Sequence, residues 1–254
     1  MVNIFIGYDP AALALAALAL AFAGWIKGII GLALPIIGLS LLAMIFPIHF
    51  ALAVMVLPIV VSNVWQAFRT PDCLSQARRF WPVVLALTVT MLASSTLVTS
   101  LDDHVLRVII GGVLVVVGTA NLLSDRFVLP QRYERPAGII AGLLSGVFGG
   151  ISTIWGPPLL TYLISLRLTK DVFIGAVGFI WLAGTLPFLI AFIANGVLNG
   201  GTFPISALAC IPALAGMWFG EQLRHRLDEK LYRRILLIAI VLMGMNLIRT
   251  GLTG

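Results

Sequence analysis

Charge is what this sequence has least of. Only 10% of its 254 residues are Asp, Glu, Lys or Arg, while 60% are apolar, and the mean hydropathy is +1.09. A water-soluble domain carries about 25% charged residues. A soluble enzyme, a nucleic-acid-binding domain and a disordered chain are therefore excluded. Two cysteines, Cys73 and Cys210, are too few for a disulfide scaffold. One lies in a basic loop and the other in an apolar run, so both read as free thiols. Catalytic signatures are missing as well. There is no Walker A sequence, no His-Glu-x-x-His, no catalytic carboxylate pair and no Cys/His cluster at metal-ligand spacing. His49, His104 and His225 share no segment. The expectation is a chain that is not an enzyme and uses neither cofactor nor metal.

What is present is a succession of apolar runs. A bilayer core about 30 Å thick needs roughly 20 apolar residues per helix. Charges and Gly/Pro clusters divide the chain into segments at 10–26, 32–46, 49–68, 80–99, 105–123, 136–150, 154–167, 171–195, 203–220 and 231–249. The first opens on Asp9-Pro10, a cap residue followed by proline at the first helical position. No Lys or Arg precedes it, so it reads as retained and not as a cleaved signal peptide. The pairs 10–26/32–46 and 136–150/154–167 have short members separated by Gly-rich stretches.

Sliding the chain on itself by 122 residues places Gly24 on Gly146, Gly28 on Gly150 and Pro35 on Pro157. The later segments of the two halves follow. This is the pattern of a duplicated five-segment unit, with a membrane repeat at 1–123, a linker at 124–135 and a second repeat at 136–254. Thirteen of the sixteen basic residues fall in one set of loops: Arg69, Arg78, Arg79, Arg126, Arg132, Arg135, Arg167, Lys170, Arg224, Arg226, Lys230, Arg233 and Arg234. Lys and Arg near span ends accumulate on the cytoplasmic side, so those loops are expected to be cytoplasmic and both termini outside. If each short pair is re-entrant, the two halves have opposite sense. If the pairs are instead tilted full spans, the loop sides are unchanged. The fold expected is an all-α polytopic membrane protein of two inverted repeats, each beginning with a short broken-helix pair. Repeats of that kind hold substrate near the midplane, where the breaks meet.

The first break is expected over Gly24–Gly31 and the second over Gly146–Thr153. Non-helical backbone at membrane depth must be buried in protein or line a cavity. A helix starting there offers free N–H groups and a positive dipole end that attract anions. Gly28, Gly31, Gly149 and Gly150 are candidates to line such a site, and Ser152 and Thr153 to cap the second helix start. Packing between helices is the competing reading for these glycines. Lys27 is the sharpest single residue, because a charge in the bilayer costs about 2.5–3.5 kcal/mol on insertion scales. All ten acidic residues lie in loops or at segment ends, so none is placed to neutralise it. Asn63 falls on Thr185 across the repeat, in the segment after each short pair. Ser62 and Gln66 are further polar residues there, and Trp155 stands beside the second break.

The Gly-rich stretch leading to an early proline occurs twice, in Gly24 to Pro35 and Gly146 to Pro158, followed each time by basic loops and aligned segments. This resembles the TauE/SafE sulfite exporter family of membrane permeases over the whole chain. The resemblance implies a plasma-membrane carrier for small sulfur-containing or organic anions such as sulfite or sulfonates. Lys27 stands where that family's pattern is more often glycine-rich, which leaves room for an altered substrate. The partners expected are a small anionic substrate, the lipid bilayer and, compatibly, further copies of the chain, with no nucleic acid. Two rival readings are a non-transporting membrane anchor or regulatory subunit and an anion channel.

Overall fold

The computed structural model describes residues 9–31, 34–70, 73–123, 128–223 and 229–253. Arg126, Arg224 and Arg226 lie outside them, as do the side chains of Cys73, Asn121, Lys170, Lys230, Arg233 and Arg234. The described residues are helical with no strand. Ten helices follow one another: α1 (Pro10–Ile30), α2 (Leu34–Ile45), α3 (Ile48–Phe68), α4 (Ala77–Ser95, followed by the single turn Leu97–Ser100), α5 (Asp103–Leu123), α6 (Glu134–Ser152), α7 (Gly156–Ser165), α8 (Lys170–Ala194), α9 (Phe203–Leu223) and α10 (Glu229–Thr253). Among the described residues six stretches, within α1, α3, α4, α6, α8 and α9, are long and apolar enough to cross a membrane.

The expected break at Gly24–Gly31 is corrected. Asp9 accepts a hydrogen bond from the Ala11 N–H (3.0 Å), and Pro10 sits at the helix start. From there α1 runs unbroken through Gly24, Lys27 and Gly28 to Ile30. It stops at Gly31, whose φ of 83° is left-handed and whose N–H returns to the Lys27 carbonyl (2.6 Å). Only the second member of each expected pair is short, α2 with 12 residues and α7 with 10.

Glycine inside a helix costs about 1 kcal/mol against alanine, and packing explains why it is used. A Cβ on Gly24 would overlap the Ala213 carbonyl oxygen, and one on Gly28 that of Met217. Gly216 and Gly220 of α9 face the carbonyls of Ala21 and Trp25 in return. The α1–α9 seam is thus backbone against backbone, with both helices running the same way. A matching seam joins α6 to α4, where Gly142, Gly146 and Gly150 lie on the backbone of Val83, Leu87 and Met91. The Thr90 hydroxyl donates to the Leu143 carbonyl (2.9 Å), and that of Ser94 donates to Gly146 and Val147 (3.2 and 3.1 Å). Small residues that let helices approach closely are a membrane packing device. The first helix of each half therefore rests on the fourth helix of the other. The fifth helices, α5 and α10, pair with each other antiparallel through Gly111 and Gly244.

The two ends of the bundle differ in chemistry. At the basic end Arg69 pairs with Glu221 (2.9 Å), and Arg79 pairs with Glu134 through two bonds (2.6 and 3.0 Å). At the opposite end Asp103 of α5 accepts from the Ile48 N–H at the start of α3 (3.1 Å), meets the His49 ring (3.0 Å) and pairs with Arg107 (3.2 Å). Arg107 donates in turn to the Ala43 and Phe46 carbonyls at the end of α2. Burial alone would push the Asp103 carboxyl up, but these donors outweigh it and hold it below the usual carboxylate range. Between the ends, apolar side chains such as Leu18, Val89, Leu186, Ile190 and Phe219 face outward, a belt suited to lipid.

Candidate functional site

The interior of the bundle holds a lysine amine that no carboxylate meets among the described residues. Lys27 is 1% exposed, and its Nζ donates to Ser62 Oγ (2.9 Å) and Asn63 Oδ1 (2.5 Å). The Ser62 hydroxyl donates onward to the Ile59 carbonyl (3.1 Å). Asn63 Nδ2 donates to Thr185 Oγ1 of α8 (3.2 Å), and Thr185 donates to the Trp181 carbonyl (2.8 Å). Each neutral group is thus oriented, and the polarity runs away from the ammonium. An ammonium has three N–H donors, and two of them are placed. A buried ion is costly unless its charge is answered, and neutral oxygens answer it only in part.

Asn63 and Thr185 are 122 residues apart, the offset at which the sequence is expected to repeat, so two positions paired by that expectation touch each other here. The surroundings differ across that contact. Opposite Lys27 in the repeat stands Gly149, where a Cβ would meet the Met91 and Trp155 side chains. Thr153 repeats the role of Gly31: it ends α6 at a φ of 65°, and its N–H bonds the Gly149 carbonyl (3.1 Å). A β-branched residue in that conformation is strained by roughly 1–2 kcal/mol. Thr153 Oγ1, Trp155 Nε1 and Ser145 Oγ are buried without a hydrogen-bond partner among the described residues. The Trp155 ring packs on Phe188, with centroids 5.0 Å apart, and Phe188 on Phe192 at 4.4 Å. Trp155 Nε1 lies 3.5 Å from where a Cβ of Gly184 would stand, one residue from Thr185.

The expected bank of amide donors at the second break needs correction. The first turn of α7 reads Gly156-Pro157-Pro158, and proline has no N–H. Ser152 does not cap α7: its hydroxyl donates back to the Phe148 carbonyl (2.7 Å) and accepts from the Ile154 N–H (3.3 Å). Thr153 closes α6, and Trp155 precedes α7 with no side-chain cap. Gly28 and Gly150 face α9 and α4 and are explained by close packing. The structure thus brings together Lys27, Asn63 and Thr185, with Trp155 and Gly149 alongside. It adds Ser62, which sequence reasoning had placed with the ordinary polar residues although it adjoins Asn63. All of these groups are buried, so the site is closed to solvent from both ends. Cys210 is a free thiol, as expected.

A lysine amine buried among apolar helices, with oriented neutral dipoles beside it and no acid–base pair among the described residues, can donate a hydrogen bond to an anion. The family model described as "Sulfite exporter TauE/SafE" matches residues 16–247. The chain belongs to the TauE/SafE family. No curated protein and no solved structure matches it. Membership makes this TauE/SafE protein a multi-pass membrane transporter of sulfite or related anions, and accords with the lack of enzyme signatures. The match spans both halves, including Lys27 and the Asn63–Thr185 contact.

Proposed function

We propose that the protein carries a small anion such as sulfite or an organosulfonate out of the cell, by alternating access around Lys27. The observation that carries this reading is the buried Lys27 ammonium, neutralised by no described carboxylate and set beside a contact between matching residues of the two halves. Trp155 Nε1 and Thr153 Oγ1, buried without partners among the described residues, are the second half's candidate contacts to the anion. The halves are read as inverted repeats. In support, α1 runs with α9 and α4 with α6, while α9 ends at the Arg69–Glu221 pair and α6 begins at the Arg79–Glu134 pair. The chain turns between α3 and α4 at that same end, so α1 and α6 have opposite directions. With the basic loops cytoplasmic, an inside-negative potential favours outward movement of one negative charge by about 2.3 kcal/mol per 100 mV. Efflux then needs no coupling carboxylate in the interior.

The test is anion flux in proteoliposomes. Wild type is expected to give saturable flux of sulfite or a sulfonate that an opposing gradient of the same anion accelerates. Non-saturable flux would favour a channel, and no flux with any anion would favour an anchor. Lys27→Met is expected to lose at least about tenfold in flux, the equivalent of about 1.4 kcal/mol. Unchanged rate and affinity would remove Lys27 from the mechanism.

A further inference from the structure

The contact between Asn63 and Thr185 fixes which residues are counterparts on the way out of the site to either end. Along α3 the next residue on the Lys27 face toward the basic end is Gln66, three and four positions beyond Asn63 and Ser62. Its counterpart, 122 residues on, is Phe188 of α8. Because α8 runs toward the opposite end, where Asn195 bonds Ser95 near the end of α4 (2.9 Å), Phe188 lies beyond Thr185 on that side. Equivalent positions therefore flank the site on opposite sides, and they carry opposite chemistry. Gln66 is half-buried, and its Oε1 is buried with no hydrogen-bond partner among the described residues. One turn further, Thr70 bonds the Gln66 carbonyl (2.9 Å), and the Arg69 side chain is 57% exposed. Phe188 and Phe192 are 0% exposed and stack in line with Trp155. The α3 residues facing that way, Ile59 and Met55, are equally closed and apolar.

We infer that Gln66 is a further substrate-contacting residue on the path between Lys27 and the basic end, and that Phe188 is the barrier residue on the opposite side. An anion leaving Lys27 toward the basic end meets the Gln66 side chain, whose amide N–H groups can donate to it while Oε1 only accepts, and then Arg69, which is paired with Glu221. Toward the other end it meets aromatic side chains that offer an oxyanion no hydrogen bond and must separate before it passes. In the conformation described a half-buried polar side chain stands on the basic side and a fully buried aromatic stack on the other. This rests on the proposed transport reading, but its main readout does not depend on flux.

The experiment uses single-cysteine variants, Gln66→Cys and Phe188→Cys, in full-length protein carrying Cys73→Ser and Cys210→Ala. A membrane-impermeant charged thiol reagent is added to either face of proteoliposomes, with Arg78→Cys and Thr99→Cys marking the basic and opposite faces. Without substrate, the thiol at position 66 is expected to react from the basic face at least about tenfold faster than that at 188, a difference in local opening. An added alkylsulfonate, which does not itself react with the thiol reagent, is expected to slow the reaction at 66. Equal rates, a reversed order, or no sulfonate protection would overturn the inference. If Phe188→Cys does not fold, Phe192→Cys reads the same barrier one turn further along. Absent wild-type flux sinks the transport reading, whereas intact flux with equal labelling sinks this inference alone.

Discussion

Trp155 carries its indole N–H into the protein interior with no described group to receive it. A donor left unpaired costs about 1–3 kcal/mol, so it persists where an occupant uses it or where the ring itself is needed. Trp155→Phe separates the two. Its stability cost is expected to stay below about 2 kcal/mol, because lost ring area is offset by removing the orphan N–H. If the indole holds the anion, the transport KM rises severalfold while the melting midpoint of the detergent-solubilised protein barely moves. An unchanged KM would leave Trp155 as packing only. Lys27 was legible in the sequence because a lone cation in an apolar run is costly, and Asn63 with Thr185 because they align across the repeat. The three orphan polar atoms of Ser145, Thr153 and Trp155 were not legible as such. Whether a hydroxyl or indole has a partner depends on neighbours far away in the chain.

Glycine was the misleading signal at the level of the helices. The same residue marks a place where a helix ends and a place where two helices touch. Gly31 is the first kind and Gly24 and Gly28 the second, yet they stand within eight positions. What decides between them is the Ala213 or Met217 carbonyl, which no local pattern reveals. The helix start after Thr153 was misread for a related reason: the paired prolines that make it a recognisable start also remove its donors. The seams make a clear prediction. Gly146→Ala raises intrinsic helix propensity by about 1 kcal/mol, but the new methyl would overlap the Thr90 hydroxyl and the Leu87 carbonyl. Net destabilisation of about 1–3 kcal/mol is expected, seen as a lower melting midpoint. Gly112→Ala, where a Cβ has open space, is the control and is expected to be neutral or stabilising.

For the molecule as a whole, the stretches 1–123 and 136–254 meet along two glycine-lined seams. α1 rests on α9 and α6 on α4, so each half supplies the seam that the other needs. Expressed alone, residues 1–123 or 124–254 are expected to leave glycine faces uncovered and to aggregate or be degraded. Co-expressed, the two pieces are expected to co-purify and regain anion flux. Stable, monodisperse half-proteins would contradict the exchanged packing. The number and order of the helices were legible because they are a pattern along the chain. The exchange of partners was not, since it pairs residues about 60 positions apart in one seam and about 190 in the other.

The meeting of Asn63 with Thr185 also bears on history. In an ancestor built from two identical polypeptides lying head to foot, a side chain at this place would have faced its own copy. A lysine at position 27 would then have been matched by a second lysine at 149, setting two like charges into one small hollow. On the proposed reading, two joined copies are free to differ: one carries the amine of Lys27 while the other has Gly149 beside Trp155, and the anion is gripped from one flank.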